Sequence, residues 1–223
     1  MPSTVELNRR TTGTPGAEPP VVLLHALGED AATWTDFAAR LDGRHTIALD
    51  LRGHGRSPRP DTYTFDLMVA DVILALPDVS EMDLVGHSMG ALVASLLAGR
   101  HPELVRHLVL EDSPVPPEHG PPLPDPNPPA EPDTPPPFDW RAVVPLRGDG
   151  RRANPAWWTN IRRFPSPTLW VSGGPSSHLD QTRHVEAATQ MPSATVETIP
   201  VGHEIHARAP ERFAAVVAPF LSR

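Results

Sequence analysis

A chain of 223 residues is the length of one domain, or of one domain carrying an insertion, and suffices to bury a full core. Its formal net charge of −8 and lack of any Lys/Arg-rich run exclude the basic face that nucleic acid or an anionic membrane requires, leaving a small, neutral or cation-tolerant substrate as the expected partner. The absence of cysteine removes disulfides, thiolate metal ligands and thiol nucleophiles; with no secretory pattern in Met1-Pro2-Ser3-Thr4-Val5-Glu6 and no apolar run of membrane-spanning length, the chain reads as soluble and cytoplasmic.

Residues 4–9 are amphipathic and are expected to form an edge strand. The apolar run 21–24 reads as a buried strand, followed at 31–41 by a helical spacing that aligns Trp34, Phe37, Ala38 and Leu41. A strand at 46–49 precedes a helix at 65–76, with Phe65, Met68, Val69, Val72 and Ile73 on one face. Strands at 82–85 and 108–110 flank a helix at 91–100. From 114 to 137, 13 of 24 residues are proline, a density that neither helix nor sheet interior tolerates, so an extended, partly polyproline-like excursion is expected. Helical spacing resumes at 154–163 with Trp157, Trp158 and Ile161. Strands at 168–171 and 194–199 then alternate with helices at 179–190 and 210–221, the last opened by Pro210 in its first turn. This alternation predicts an α/β fold: a mostly parallel central sheet with helices on both faces. Residues 1–112 and 165–223 form its two parts, and 113–164 a reduced, proline-rich cap insertion.

Gly86-His87-Ser88-Met89-Gly90 lies between a predicted strand and a predicted helix, the context in which G-x-S-x-G forms a nucleophile elbow. A serine on such a turn projects its hydroxyl outward, and the helix starting behind it aims free amides at a developing oxyanion. The hydroxyl needs a base, and His203, in the small-residue loop after the last strand, is the best placed of eleven histidines. His101, His107, His119 and His184 read as surface or element-end residues, His45 and His54 as turn residues, and His206 as a packing group. His203, His206 and His178 lack a carboxylate frame for a metal, so neither metal nor cofactor is expected. The oxyanion amides are assigned to Met89, after the nucleophile, and to Leu27 in the loop Leu24-His25-Ala26-Leu27-Gly28.

These runs, with Asp50-Leu51-Arg52-Gly53-His54-Gly55-Arg56-Ser57, Pro167-Thr168-Leu169-Trp170-Val171-Ser172-Gly173-Gly174 and Gly202-His203, resemble the α/β-hydrolase superfamily over nearly the whole chain. The resemblance implies the order nucleophile, acid, histidine. The first motif departs from the usual His-Gly in reading His25-Ala26, which adds a methyl but keeps the amides. Most relatives place an Asp a few residues after the Gly that follows strand 168–171, where this chain has Ser177. Some branches take the acid from the strand ending at Leu110-Glu111-Asp112, which makes Asp112 the preferred acid; Asp180, Glu111 or a dyad without acid remain alternatives. The Asp50–Ser57 run reads as a structural turn with its Arg and Asp paired locally, and Glu81 and Asp83 as solvated turn charges.

A serine at the elbow disfavours epoxide hydrolase and dehalogenase chemistry, which need a carboxylate there. The expected activity is metal-independent cleavage of a small carboxylic ester through an acyl-enzyme, with lactone, thioester and carbon–carbon cleavage not separated from it. The resemblance implies that the cap sets substrate choice. Its shortness predicts an open site near His25, walled by Trp157, Trp158, Val143, Val144 and Phe138. The competing expectation is a catalytically weak or silent member that kept the fold as a ligand-binding or partner protein.

Overall fold

A computed structural model of the chain describes residues 3–125, 129–130 and 132–223. Short apolar runs bounded by proline, glycine or polar residues become the strands: β1 Arg9–Thr12, β2 Val21–Leu24, β3 Thr46–Leu49, β4 Met82–His87, β5 Val105–Glu111, β6 Thr168–Ser172 and β7 Ala194–Thr198. They form one sheet in the order β1-β3-β2-β4-β5-β6-β7, parallel throughout except for β1 against β3. The helices are α1 Thr35–Ala38, α2 Phe65–Leu74, α3 Met89–Arg100, α4 Val143–Asp149, α5 Pro155–Ile161, α6 Thr182–Thr189, α7 Ile205–Arg208 and α8 Pro210–Leu221.

The period-2 alternation of the strands feeds two cores. Val22 and Leu24 of β2 join Leu84, Met68, Leu92 and Trp157 on one face, whereas Val21 and Leu23 join Val85, Trp34, Phe213 and Val217 on the other. The chain runs outward from β2 to β3 and then crosses back to β4. Adjacent parallel strands whose connections leave in opposite directions open a crevice at their carboxyl ends, and the loop after β2 and the turn after β4 meet there.

Local readings differ from the structure in several places. The edge strand pairs at Arg9–Thr12 rather than 4–9; Val5 and Leu7 do pack on the core, but the Val5 and Asn8 amides are taken by the Asp71 and Ser57 side chains. Helices α4 and α7 were not anticipated from spacing. Residues 114–125 carry no helix or strand, as the proline density required, while 126–128 and 131 lie outside the described residues. Asp83 is no solvated turn charge: it is fully buried and meets Arg44, Arg106 and His107. Arg52 pairs not with Asp50 but with Asp71 of α2 at 2.5 Å, because the Asp50 carboxylate is engaged by the amides of Ala31 and Arg56 and by Asn8. His54, His107 and His184, expected at turns or surfaces, are buried.

Candidate active site

Strand β4 ends at His87 and α3 begins at Met89, so Ser88 alone makes the turn, at φ +50° and ψ −113°. This sparsely populated backbone conformation costs a non-glycine residue about 1–3 kcal/mol and persists only where its surroundings enforce it. The Ser88 amide donates to the Glu111 carbonyl at 2.9 Å, and its carbonyl accepts the Leu92 amide of α3 at 3.1 Å. The two glycines admit the close backbone crossings. A Cβ on Gly86 would stand 2.5 Å from the Gly90 carbonyl oxygen, and one on Gly90 would stand 2.2 Å from that of Leu24. The second contact presses the start of α3 against the loop after β2.

His203 occupies the loop between β7 and α7. Its Nδ1 lies 2.6 Å from Asp112 Oδ2. Asp112, immediately after β5 and itself at φ +39°, also accepts the Gly173 amide at 2.9 Å and the Ser177 hydroxyl at 2.5 Å. Burial pushes the Asp112 carboxyl up, but the hydrogen bonds from His203, Ser177 and Gly173 outweigh it and hold the group at about 2. Asp180 stands apart, exposed and bonded to the amide and hydroxyl of Thr182 at the start of α6. Glu111 instead accepts the amide and faces the ring Nδ1 of His206. The sequence alternatives for the acid thus separate by position, and only Asp112 touches His203. Ser177, at the position where the sequence resemblance leads one to expect an Asp, donates its hydroxyl to the Asp112 carboxylate.

In the loop after β2, the His25 Nε2 accepts the Leu51 amide at 2.9 Å, so Nδ1 carries the proton donated to the Ala26 carbonyl at 2.7 Å. Burial, followed by neighbouring His54, lowers the His25 pKa to about 4, and the ring is neutral. The amides of Leu27 and Met89 donate to no group among the described residues. Neither the Ser88 hydroxyl nor His203 Nε2 has a hydrogen-bond partner there.

Among known proteins, the alpha/beta hydrolase fold family matches residues 19–139, more than half of the chain. The chain belongs to that family. It is 28% identical over 249 residues to the sn-1-specific diacylglycerol lipase ABHD11 of Mus musculus, covering 92% of this chain and 81% of that one. A marine microorganism esterase superposes with a TM-score of 0.80 at 19% identity, over 97% of this chain and 100% of that one. The enol-lactonase from Burkholderia xenovorans gives 0.76 at 20% identity, over 98% and 97%. At such identities the two superpositions speak for the fold alone.

This α/β-fold hydrolase has a shallow cleft of about 250 Å³ beside the loop after β2, lined by Gly28, Glu29, Thr33, Gly55 and Phe138. Phe138 stacks on His54 at 5.3 Å between ring centroids. The other aromatic wall residues expected from the sequence are placed differently. Trp157 and Trp158 are each 1% exposed, with their indole N–H groups donated to the Ser95 hydroxyl and the Pro116 carbonyl. Their helical spacing marked an apolar face correctly, but that face packs on α3 and joins the core. His25 is likewise sealed in, fully buried, and props the loop rather than facing a ligand. Val143 is buried and Val144 is exposed on α4.

Among the described residues, Glu29, His87 and His206 bring one potential metal-ligating atom each within 4.8 Å of one another. Their ring nitrogens already face protein partners: His87 lies between Glu29 and the His203 carbonyl, and His206 between Glu111 and Thr33. The arrangement is a closed hydrogen-bond network. No described helix is long and apolar enough to cross a membrane.

Proposed function

We propose that the protein is a serine hydrolase cleaving a small carboxylic ester or related acyl compound, with Ser88 as nucleophile, His203 as base and Asp112 as acid. The observation that carries this reading is the 2.6 Å contact of His203 Nδ1 with Asp112 in the loop layer that also holds the strained Ser88 turn. With its proton at Nδ1 donated to Asp112, His203 keeps a lone pair at Nε2 to accept the Ser88 proton. Ser88 Oγ then bonds to the carbonyl carbon, and the oxygen gains negative charge within reach of the unpaired Leu27 and Met89 amides. Collapse expels the alcohol, which takes the proton from His203. Water, deprotonated by the same nitrogen, attacks the acyl-enzyme, releases the acid and restores Ser88. Asp112 stays ionised and stabilises the imidazolium formed in each half. No step needs a metal or cofactor.

The substrate is a small molecule carrying an acyl group, and the cleft of about 250 Å³ beside the loop after β2 is lined by neither Ser88 nor His203, so it does not set the acyl length. The diacylglycerol lipase name of the mouse relative supports an ester and makes glycerol esters the first compounds to try. We place residues 113–164 as a cap between the two parts of the core, and the activity in the cytoplasm. Incubation with a fluorophosphonate followed by peptide mass spectrometry tests the nucleophile. Ser88 should be modified in folded protein and a Ser88→Ala variant should not; an unmodified Ser88 would return the chain to the silent, ligand-binding reading.

A further inference from the structure

The loops of the proposed site are joined underneath by side chains that the mechanism does not use. Glu29 Oε2 accepts the Ala26 amide of the oxyanion loop at 3.1 Å and lies 3.3 Å from Nδ1 of His87, the residue preceding Ser88. The His87 Nε2 in turn lies 2.9 Å from the carbonyl oxygen of His203. The His87 side chain is 1% exposed, and its ring centroid is 4.8 Å from that of His203. We propose that buried His87 and half-buried Glu29 form an ion pair that clamps the oxyanion loop, the nucleophile turn and the histidine loop in register, making both positioning residues. This inference rests on the serine hydrolase reading.

A carboxylate and a carbonyl oxygen only accept hydrogen bonds, so a ring between them is satisfied at both nitrogens only when each carries a proton. A neutral imidazole would turn a lone pair toward an oxygen on one side, and at a buried position no water is at hand to relieve it. The charged and titratable groups facing His87 agree: Glu29 after β2, Glu111 at the end of β5, His203 beyond β7 and His206 on α7. Burial lowers the His87 pKa, but the Glu111 charge and the Glu29 hydrogen bond and charge outweigh it, raising it to about 9. Glu29 is held at about 2, burial being overcome chiefly by His87. Glu111 also links the clamp to the nucleophile, since its carbonyl accepts the Ser88 amide while its carboxylate binds His206.

The composition makes this clamp unusually easy to read. The chain has no lysine, no cysteine and one tyrosine, Tyr63. Burial and the Asp139 carboxylate push that phenol far above its ordinary value. Apart from the terminal amine, ordinarily near about 8, His87 is left to titrate near pH 9. Deprotonation breaks one end of the clamp, so reactivity of Ser88 should fall there.

The experiment measures the rate of fluorophosphonate labelling of Ser88 from pH 6 to 10.5, alongside imidazole ¹⁵N NMR of the same samples. Wild type should show an alkaline fall with a midpoint near the His87 pKa of about 9 and two ring N–H protons on His87 at neutral pH. Glu29→Gln should move that midpoint down by about one pH unit or more, the effect of losing an opposite charge. His87→Gln should abolish the alkaline fall and lower the plateau roughly 10- to 100-fold, as small displacements of reacting groups do. A wild-type rate still level at pH 10.5, a single N–H on His87 at pH 7, or an unmoved midpoint in Glu29→Gln each overturns the clamp. The first two need no variant to fold. Two N–H protons on His87 without labelling at any pH supports the ion pair and overturns only the serine hydrolase reading.

Discussion

At the scale of single residues, Asp112 and Asp180 are chemically identical and only residues 173–179 separate the latter from strand β6, yet their surroundings differ entirely. Asp112 collects donors from His203, Gly173 and Ser177, whereas Asp180 serves the first turn of α6. Asp112→Asn should therefore lower kcat on the order of 10⁴-fold by losing the acceptor that fixes the His203 tautomer. Asp180→Asn should leave kcat unchanged and cost at most about 1 kcal/mol as a lost turn contact. Steady-state kinetics on a p-nitrophenyl ester compares the two directly, and the reverse ordering would remove Asp112 from the mechanism. The strand-to-helix turn at Ser88 and Met89 and the loop at Leu27 were legible beforehand because each is defined by neighbours in sequence. Asp112 was only the preferred one of several candidate carboxylates, since contact with His203 depends on reach across the sheet edge, which no spacing records.

At the scale of elements, β2 to β7 were legible because each is a short apolar run that can sit between two covered faces. Helix α4 was hidden by its own composition: Val143-Val144-Pro145-Leu146-Arg147-Gly148-Asp149 holds proline, glycine and β-branched residues, and it forms because Leu146 docks into the core. Connections between elements were less legible still. Arg52, after β3, reaches Asp71 on α2 with two nitrogens, at 2.5 and 2.8 Å, while Asp71 also accepts the Val5 amide. Both side chains of the pair are fully buried. Asp71→Asn keeps the shape but strands the guanidinium, and should destabilise the fold by about 3–5 kcal/mol. Urea denaturation reads this as a lower midpoint at unchanged slope.

For the whole molecule, buried and half-buried ionisable groups set the pH range of stability. Glu29 and Asp112 have folded pKa values lowered to about 2, so their contribution is full above the ordinary carboxylate range and lost as pH falls through about 2. His25, lowered to about 4, adds to this: between its ordinary 6.5 and about 4 the unfolded chain takes up a proton that the folded ring refuses. His87 has the opposite sign. Its raised value means a contribution full below 6.5 and lost as pH rises through about 9. The melting temperature should therefore peak near neutrality and fall on both sides. In Glu29→Gln the alkaline fall should begin at lower pH, which differential scanning fluorimetry from pH 3 to 10 would detect. An alkaline limb identical in that variant would contradict the assignment to His87.

The order of the strands and of most helices, the strand-to-helix turn at Ser88 and the loop after β2 were legible in the sequence itself, because each depends on apolar periodicity or on side chains within a few positions. Tertiary structure alone decided which carboxylate meets His203, that Trp157, Trp158 and His25 face inward, and that Glu29 and His87 join three loops. Periodicity says that a face is apolar but not which surface it meets. Hydrogen bonds between loops depend on where a folded sheet brings its strand ends, a distance in space that the linear chain does not contain.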